Sequence, residues 1–137
     1  MKVILASHGR LALGMQDTLR IIVGETPNLT AYAAYLNGDE TAYVDEIKKE
    51  IEKKPNEQFV VITDVLGGSV NTNLTQLLRD HENVQLIAGM NLPLVMEIAT
   101  KSENLDSDAI QQIISNARSA IVDINTLLTK QVGEEEL

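Results

Sequence analysis

The sequence predicts an α/β domain: an open, mostly parallel, doubly wound sheet of strand order 2-1-3-4 with helices on both faces. Three observations predict it. Short aliphatic runs alternate with stretches whose apolar residues recur at helical spacing. The runs at residues 3–6 and 59–62 are wholly apolar, as strands buried on both faces are. The run at residues 29–36 is wetter, with Thr30, Tyr32, Tyr35 and three alanines, and suits a sheet edge. Dry strands in the centre and the wet second strand at an edge give the order 2-1-3-4, with right-handed crossovers between strands.

Each element has its own signal. Val3-Ile4-Leu5-Ala6 runs into the turn Ser7-His8-Gly9, and Leu11, Met15, Leu19 and Ile22 then mark a helix with Gly24 as its stop. Pro27-Asn28 turns the chain into the second strand, and Asn37-Gly38-Asp39 turns it out, with Asp39 expected as a helix cap. Val44, Ile47 and Ile51 stripe the next helix, whose lysines gather in its C-terminal half, where cations favour the dipole. The third strand closes on Asp64, and Val65-Leu66-Gly67-Gly68-Ser69 is a tight turn into a helix carrying Val70, Leu74, Leu77 and Leu78. Residues 84–88 form the fourth strand. Asn91 caps a helix with Pro93 in its first turn, where proline is tolerated. Asp106-Ser107 opens another helix with Ile110, Ile113, Ile114 and Ala117 on one face. Residues 120–124 are β-branched with a polar interruption and are expected as a fifth strand, at the C-terminal edge. Residues 1–130 thus make one domain, and residues 131–137, with three glutamates together, read as an acidic tail or the start of a linker.

Composition narrows the function. Aromatics are 3% of 137 residues, so the core is aliphatic. A formal charge of −9 argues against a nucleic-acid or anionic-membrane partner, both of which need a basic face. There is no cysteine, hence no disulfide, no thiolate nucleophile and no cysteine metal site. Met1-Lys2 leads straight into the first strand, with no apolar stretch of signal-peptide or membrane-span length, which fits a cytoplasmic protein.

The order 2-1-3-4 brings the tips of the first and third strands together at the topological switch point, where such sheets bind ligands. His8 and Asp64 are those tips. A neutral imidazole is a good nitrogen nucleophile. A carboxylate accepting from one ring nitrogen fixes the tautomer, frees the other lone pair and stabilises the charge that follows attack. Gly67 and Gly68 let backbone N–H groups approach an anion, and Ser7 and Ser69 add hydroxyl donors. The constellation suits a phosphoryl group on or beside His8. Arg10 is a further candidate for holding phosphate. His81, in the polar stretch 79–83, reads as a solvated residue near a helix C-terminus. No spacing of His, Asp and Glu suggests a metal site, and no cofactor is expected.

At these residues the chain resembles a family. Ser7-His8-Gly9, with Leu11-Ala12 and Gly14, is similar to the phosphorylation motif of the mannose-class IIA proteins of the bacterial phosphoenolpyruvate-dependent sugar phosphotransferase system. Asp64-Val65-Leu66-Gly67-Gly68-Ser69 resembles that family's second motif, and Gly89-Met90-Asn91-Leu92-Pro93 its third. Two departures stand out: aliphatic Val65 and Leu66 where the family commonly has an aromatic, and Val70 where it commonly has proline. The resemblance implies that His8 takes a phosphoryl group from the phosphohistidine carrier HPr. It passes it to a IIB component that feeds a membrane IIC/IID sugar permease. Asn91, in the third motif, joins Arg10 as a candidate for holding phosphate. The resemblance also implies a homodimer exchanging a C-terminal strand within residues 120–128.

Other readings on the same scaffold fit less well. A receiver domain needs an acidic pair for Mg²⁺ at the first strand's tip, where this chain has Ala6-Ser7-His8. A flavin or nucleotide module lacks its glycine fingerprint here, and the site is expected to lack aromatics that would sandwich a ring. The IIA-like phosphodonor of dihydroxyacetone kinase remains the alternative within phosphorelay chemistry.

Overall fold

A computed structural model describes residues 1–36, 38 and 41–135. The expected cap at Asp39 lies outside the described residues. Strands β1 (Lys2–His8), β2 (Leu29–Ala34), β3 (Phe59–Thr63) and β4 (Val84–Ala88) form one four-stranded sheet ordered β2-β1-β3-β4. Every pairing is parallel. The helices are α1 (Leu11–Val23), α2 (Ala42–Glu52), α3 (Ser69–Thr75), α4 (Leu92–Ala99), α5 (Ser107–Ser119) and α6 (Ile124–Glu135). A 3-10 turn, Gln76–Arg79, extends α3.

Strand dryness sets strand position. All of β3 is buried, as is β1 from Val3 to Ser7, whereas β2 and β4 are half-wet and lie at the edges. Alternate side chains enter opposite layers. Val3, Leu5, Val60 and Ile62 meet α1, α4 and α5 through Leu19, Val95, Ile98, Ile110 and Ile113. Ile4, Ala6, Phe59 and Val61 meet α2 and α3 through Ile47, Ile51, Val70 and Leu74. The core is therefore two aliphatic layers divided by the sheet.

Helix starts follow the expected caps where the chain offers one. The Asn91 Oδ1 accepts from Leu94 N–H at 2.9 Å and the Asp106 Oδ1 from Ala109 N–H at 2.8 Å. The fifth strand expected at residues 120–124 does not form. Ala120 ends α5, residues 121–123 are irregular, and α6 starts at Ile124. The cause is Asp123. Its carboxylate accepts from the Asn125 and Thr126 N–H groups and the Thr126 hydroxyl, and its carbonyl accepts from Leu127 N–H. This capping network outweighs the β propensity of Ile121 and Val122. The backbone stays helical to Glu135, past the start of the acidic stretch. Among the described residues, no helix is long and apolar enough to cross a membrane.

Candidate functional site

The register of the sheet builds the site. His8 ends β1 opposite Ala34 of β2, and Asp64 is the residue after β3. Asp64 is almost covered, its side chain 7% exposed, while the His8 ring is 45% exposed. One carboxylate oxygen, Oδ2, accepts from the His8 ring Nδ1 at 2.7 Å and from the His8 main-chain N–H at 2.8 Å. The other, Oδ1, accepts from Val65 N–H at 3.0 Å. Burial pushes the Asp64 carboxyl up, but the hydrogen bonds from His8 and Val65 and the attraction of the imidazole outweigh it. The net effect holds the carboxyl below the usual carboxylate range.

An ionised carboxylate only accepts, so Nδ1 carries the ring proton and Nε2 keeps its lone pair. The Ser69 hydroxyl lies 3.1 Å from Nε2. Ser69 is delivered by the turn after Asp64, which closes with Gly68 N–H donating to the Val65 carbonyl at 3.1 Å. Gly67 holds the third position of that turn at φ 77°, a conformation glycine adopts without strain. Gly68 is needed for room: a Cβ there would stand 3.4 Å from the His8 Cε1 and 3.3 Å from the Val65 carbonyl oxygen. Buried Asn71 braces the turn. Its Oδ1 accepts from Gly67 N–H at 3.4 Å and its Nδ2 donates to the Thr63 hydroxyl at 3.1 Å.

His8, Asp64, Gly67, Gly68 and Ser69 therefore converge as expected from the sequence. Ser7, expected as a phosphate donor, does something else. It is wholly buried, and its hydroxyl accepts from Ala12 N–H at 2.7 Å, fixing the entry to α1. Asn91 is used in capping α4 and in reaching α5, where its Nδ2 donates to the Ala117 carbonyl at 3.3 Å. Arg10 is exposed at the start of α1, two residues from His8. His81 is not solvated. Its side chain is 11% exposed, Nδ1 donates to the Leu77 carbonyl at 2.8 Å, and Nε2 faces Glu52 at 3.3 Å. It is a brace between α2 and the 3-10 turn.

An aromatic does stand at the ring, contrary to expectation. Tyr35, immediately after β2, stacks on His8 with ring centroids 5.4 Å apart and planes 19° apart. Its hydroxyl lies 2.6 Å from the Ser69 Oγ. Its one sequence signal is its place next to Ala34, the residue level with His8. Leu11, Leu36, Val65 and Leu66 are all well exposed on the loops and helix start at these strand tips. Among the described residues, no group of three or more His, Cys, Asp or Glu could hold a metal ion.

Comparison with known proteins gives a consistent result. The family described as "PTS system fructose IIA component" matches residues 2–115. The chain is similar to the PTS system sorbose-specific EIIA component of Lacticaseibacillus casei, 24% identical over 132 residues, 96% of this chain and 94% of that protein. The sorbose-specific EIIA component of Klebsiella pneumoniae is 28% identical over 110 residues, 80% of each chain. Among solved structures, a putative phosphoenolpyruvate-dependent sugar phosphotransferase system permease from Klebsiella pneumoniae subsp. pneumoniae superposes with a TM-score of 0.83 at 28% identity, covering 93% of each chain. The mannose/sorbose-specific IIA subunit from Enterococcus faecalis shares the fold, with a TM-score of 0.79 at 20% identity over 89% of this chain and 92% of that one.

Proposed function

This chain belongs to the PTS system fructose IIA component family, and from that premise we propose that His8 is its phosphoryl carrier. In this reading His8 accepts the group from phospho-HPr and passes it to a IIB component during sugar uptake. The observation that carries it is the 2.7 Å bond between Asp64 Oδ2 and His8 Nδ1, which leaves Nε2 as the nucleophile on the exposed ring.

The step balances simply. The Nε2 lone pair attacks phosphorus, a new N–P bond forms, and the donor imidazole's N–P bond breaks with its electron pair returning to that ring. The proton on Nδ1 stays put. Positive charge grows on the His8 ring, and the buried Asp64 carboxylate neutralises it. Phosphoryl transfer asks for positioning and charge stabilisation more than covalent help. Gly67, Gly68, Ser69 and the first turn of α3 flank the position the phosphoryl oxygens take. Arg10, exposed two residues from His8, is the cation nearest to it in sequence and a candidate to hold the same group. The apolar residues Leu11, Leu36, Val65 and Leu66 give HPr and IIB a surface on which to dock. The sorbose- and fructose-specific names of relatives support a sugar system over a dihydroxyacetone kinase partner. The protein works in the cytoplasm and meets the permease through its partners.

A homodimer belongs to the same reading. The outer edge of β4 is open, and a groove beside it is lined by Leu66, Leu86, Ala88, Ile114 and Ile121. Residues 118–130 are all exposed, among them Ile121, Val122, Ile124, Leu127 and Leu128. Covering one chain's groove with the other's C-terminal segment buries both. Light scattering that finds a stable monomer of 15.0 kDa at micromolar concentration overturns the dimer.

The phosphoryl reading is tested by incubation with phosphoenolpyruvate, enzyme I and HPr, followed by intact mass. One acid-labile, base-stable phosphoryl group is expected on the wild type and on His81→Ala, and none on His8→Ala. An acid-stable label, or one that survives in His8→Ala, overturns it.

A further inference from the structure

Tyr35 is an anomaly of the backbone before it is a feature of the site. Among the described residues it is the non-glycine residue with positive φ, at 67°. Bulky side chains seldom adopt that conformation, and it persists where the surroundings fix it. Here it places the Tyr35 ring against His8 and its hydroxyl against Ser69. We propose that Tyr35 is a positioning residue for phosphoryl transfer, holding the His8 ring by stacking and the Ser69 hydroxyl by a directed hydrogen bond. The proposal rests on the reading of His8 as the carrier.

The protons fix the direction of the chain of bonds. Asp64 keeps the ring proton on Nδ1, so Nε2 can only accept. Ser69 has one proton, and Nε2 at 3.1 Å takes it. The Ser69 oxygen is then an acceptor toward Tyr35, so the phenol O–H, 2.6 Å away, is the donor. The sequence of donation runs Tyr35 to Ser69 to His8.

Transfer changes one link and spares the other. When phosphorus bonds to Nε2, the donor nitrogen leaves with the electron pair of its N–P bond. Ser69 loses its acceptor at Nε2 and turns its proton to a phosphoryl oxygen. Its own oxygen still accepts from Tyr35. The serine is thus held in one place before and after transfer, with no reorganisation beyond rotation of one O–H. The stacked ring limits His8 to the plane in which Nε2 meets the incoming phosphorus. An aromatic just past the end of the neighbouring strand therefore stands at the histidine of a chain whose Asp64 turn carries none.

The test compares Tyr35→Phe, Tyr35→Ala, Ser69→Ala and the double variant Tyr35→Phe/Ser69→Ala in single-turnover transfer from phospho-HPr. Tyr35→Phe is expected to lower the saturating rate about fivefold, the scale of one neutral hydrogen bond. Its half-saturating HPr concentration should stay within about twofold, and in the Ser69→Ala background the substitution should cost nothing further, because Tyr35 acts through Ser69. In NMR spectra of the unphosphorylated protein, the ring-current shift on the His8 carbon-bound protons should persist in Tyr35→Phe and vanish in Tyr35→Ala. A wild-type rate in Tyr35→Phe, an equal loss in both backgrounds, a change confined to half-saturation, or an unchanged His8 shift in Tyr35→Ala overturns the positioning role. These results leave the carrier reading standing. A wild-type protein that takes up no phosphate overturns the carrier reading itself.

Discussion

Replacing Asp64 by asparagine removes one charge and forces a choice on the side chain. Asp64 uses both oxygens as acceptors: Oδ2 for the His8 N–H and Nδ1, Oδ1 for the Val65 N–H. Asparagine has one oxygen and one NH₂. With its oxygen toward His8, the NH₂ confronts the Val65 N–H, donor against donor. With its NH₂ toward His8, it confronts the main-chain N–H and drives the ring proton from Nδ1 to Nε2, where it blocks the nucleophile. The first arrangement keeps a neutral hydrogen bond to His8 and loses only its charge-assisted part, about 1–1.5 kcal/mol as the difference between a charged and a neutral hydrogen bond. At about 1.4 kcal/mol per tenfold, transfer from phospho-HPr slows by roughly 5- to 12-fold. The second arrangement costs more, toward the ~10⁴-fold that loss of a triad carboxylate can reach. Stopped-flow or quench-flow transfer kinetics on Asp64→Asn, with circular dichroism to show a retained fold, read the effect directly. A rate within about twofold of wild type would refute the tautomer argument. The same pair sets a pH dependence. Because folding holds the Asp64 carboxyl below its usual value, its contribution to stability is fully present above the unfolded value of about 3.9. That contribution fades as pH falls through the lower folded value. The stability gap between wild type and Asp64→Asn in urea melts should therefore narrow below about pH 4. A gap that widens on acidification contradicts the sign.

Gly68→Ala puts a methyl 3.4 Å from the His8 Cε1 and 3.3 Å from the Val65 carbonyl, so the ring or the turn must shift. Transfer should slow about tenfold with little change in melting temperature, and an unaltered rate speaks against the close fit. Asn91→Ala removes the α4 cap and the contact to the Ala117 carbonyl. The cap alone is worth about 1 kcal/mol, or about 4 °C of melting temperature for a domain of this size, and an unchanged melt refutes it. Asp123→Ala deletes the network that starts α6. Amide exchange at residues 125–128 should quicken while that in β1 does not, and equal exchange in both proteins would show that α6 starts without the cap.

The strand order was legible because dryness is a property of composition. Runs such as residues 3–6 and 59–62 have no polar side chain to offer water, so they take the centre. The pairing of His8 with Asp64 follows from that order alone. Residues 120–124 misled for a local reason. Their β-branched side chains argue for a strand, but Asp123-Ile124-Asn125-Thr126 is also a capping sequence, and neither a propensity nor a pattern says which wins. Tyr35 was hidden because positive φ in a residue other than glycine leaves no mark in a sequence. The strand was expected to run on to Leu36, and it stops at Ala34. Ser7 was misjudged because it lies beside His8 in sequence, whereas a strand turns successive side chains to opposite faces.

The site joins residues far apart along the chain: His8 meets Asp64 56 positions away and Ser69 61 away. A nascent chain therefore has its histidine early and its carboxylate, glycine turn and hydroxyl only after β3 has emerged and docked beside β1. Contacts of such separation form late and together, with the sheet itself. No N-terminal fragment ending before Asp64 has the carboxylate that holds the ring proton on His8 Nδ1. If His8 carries the phosphoryl group as proposed, phosphate uptake counts finished molecules: on a refolding time course, the labelled fraction reports how much of the population has closed its sheet.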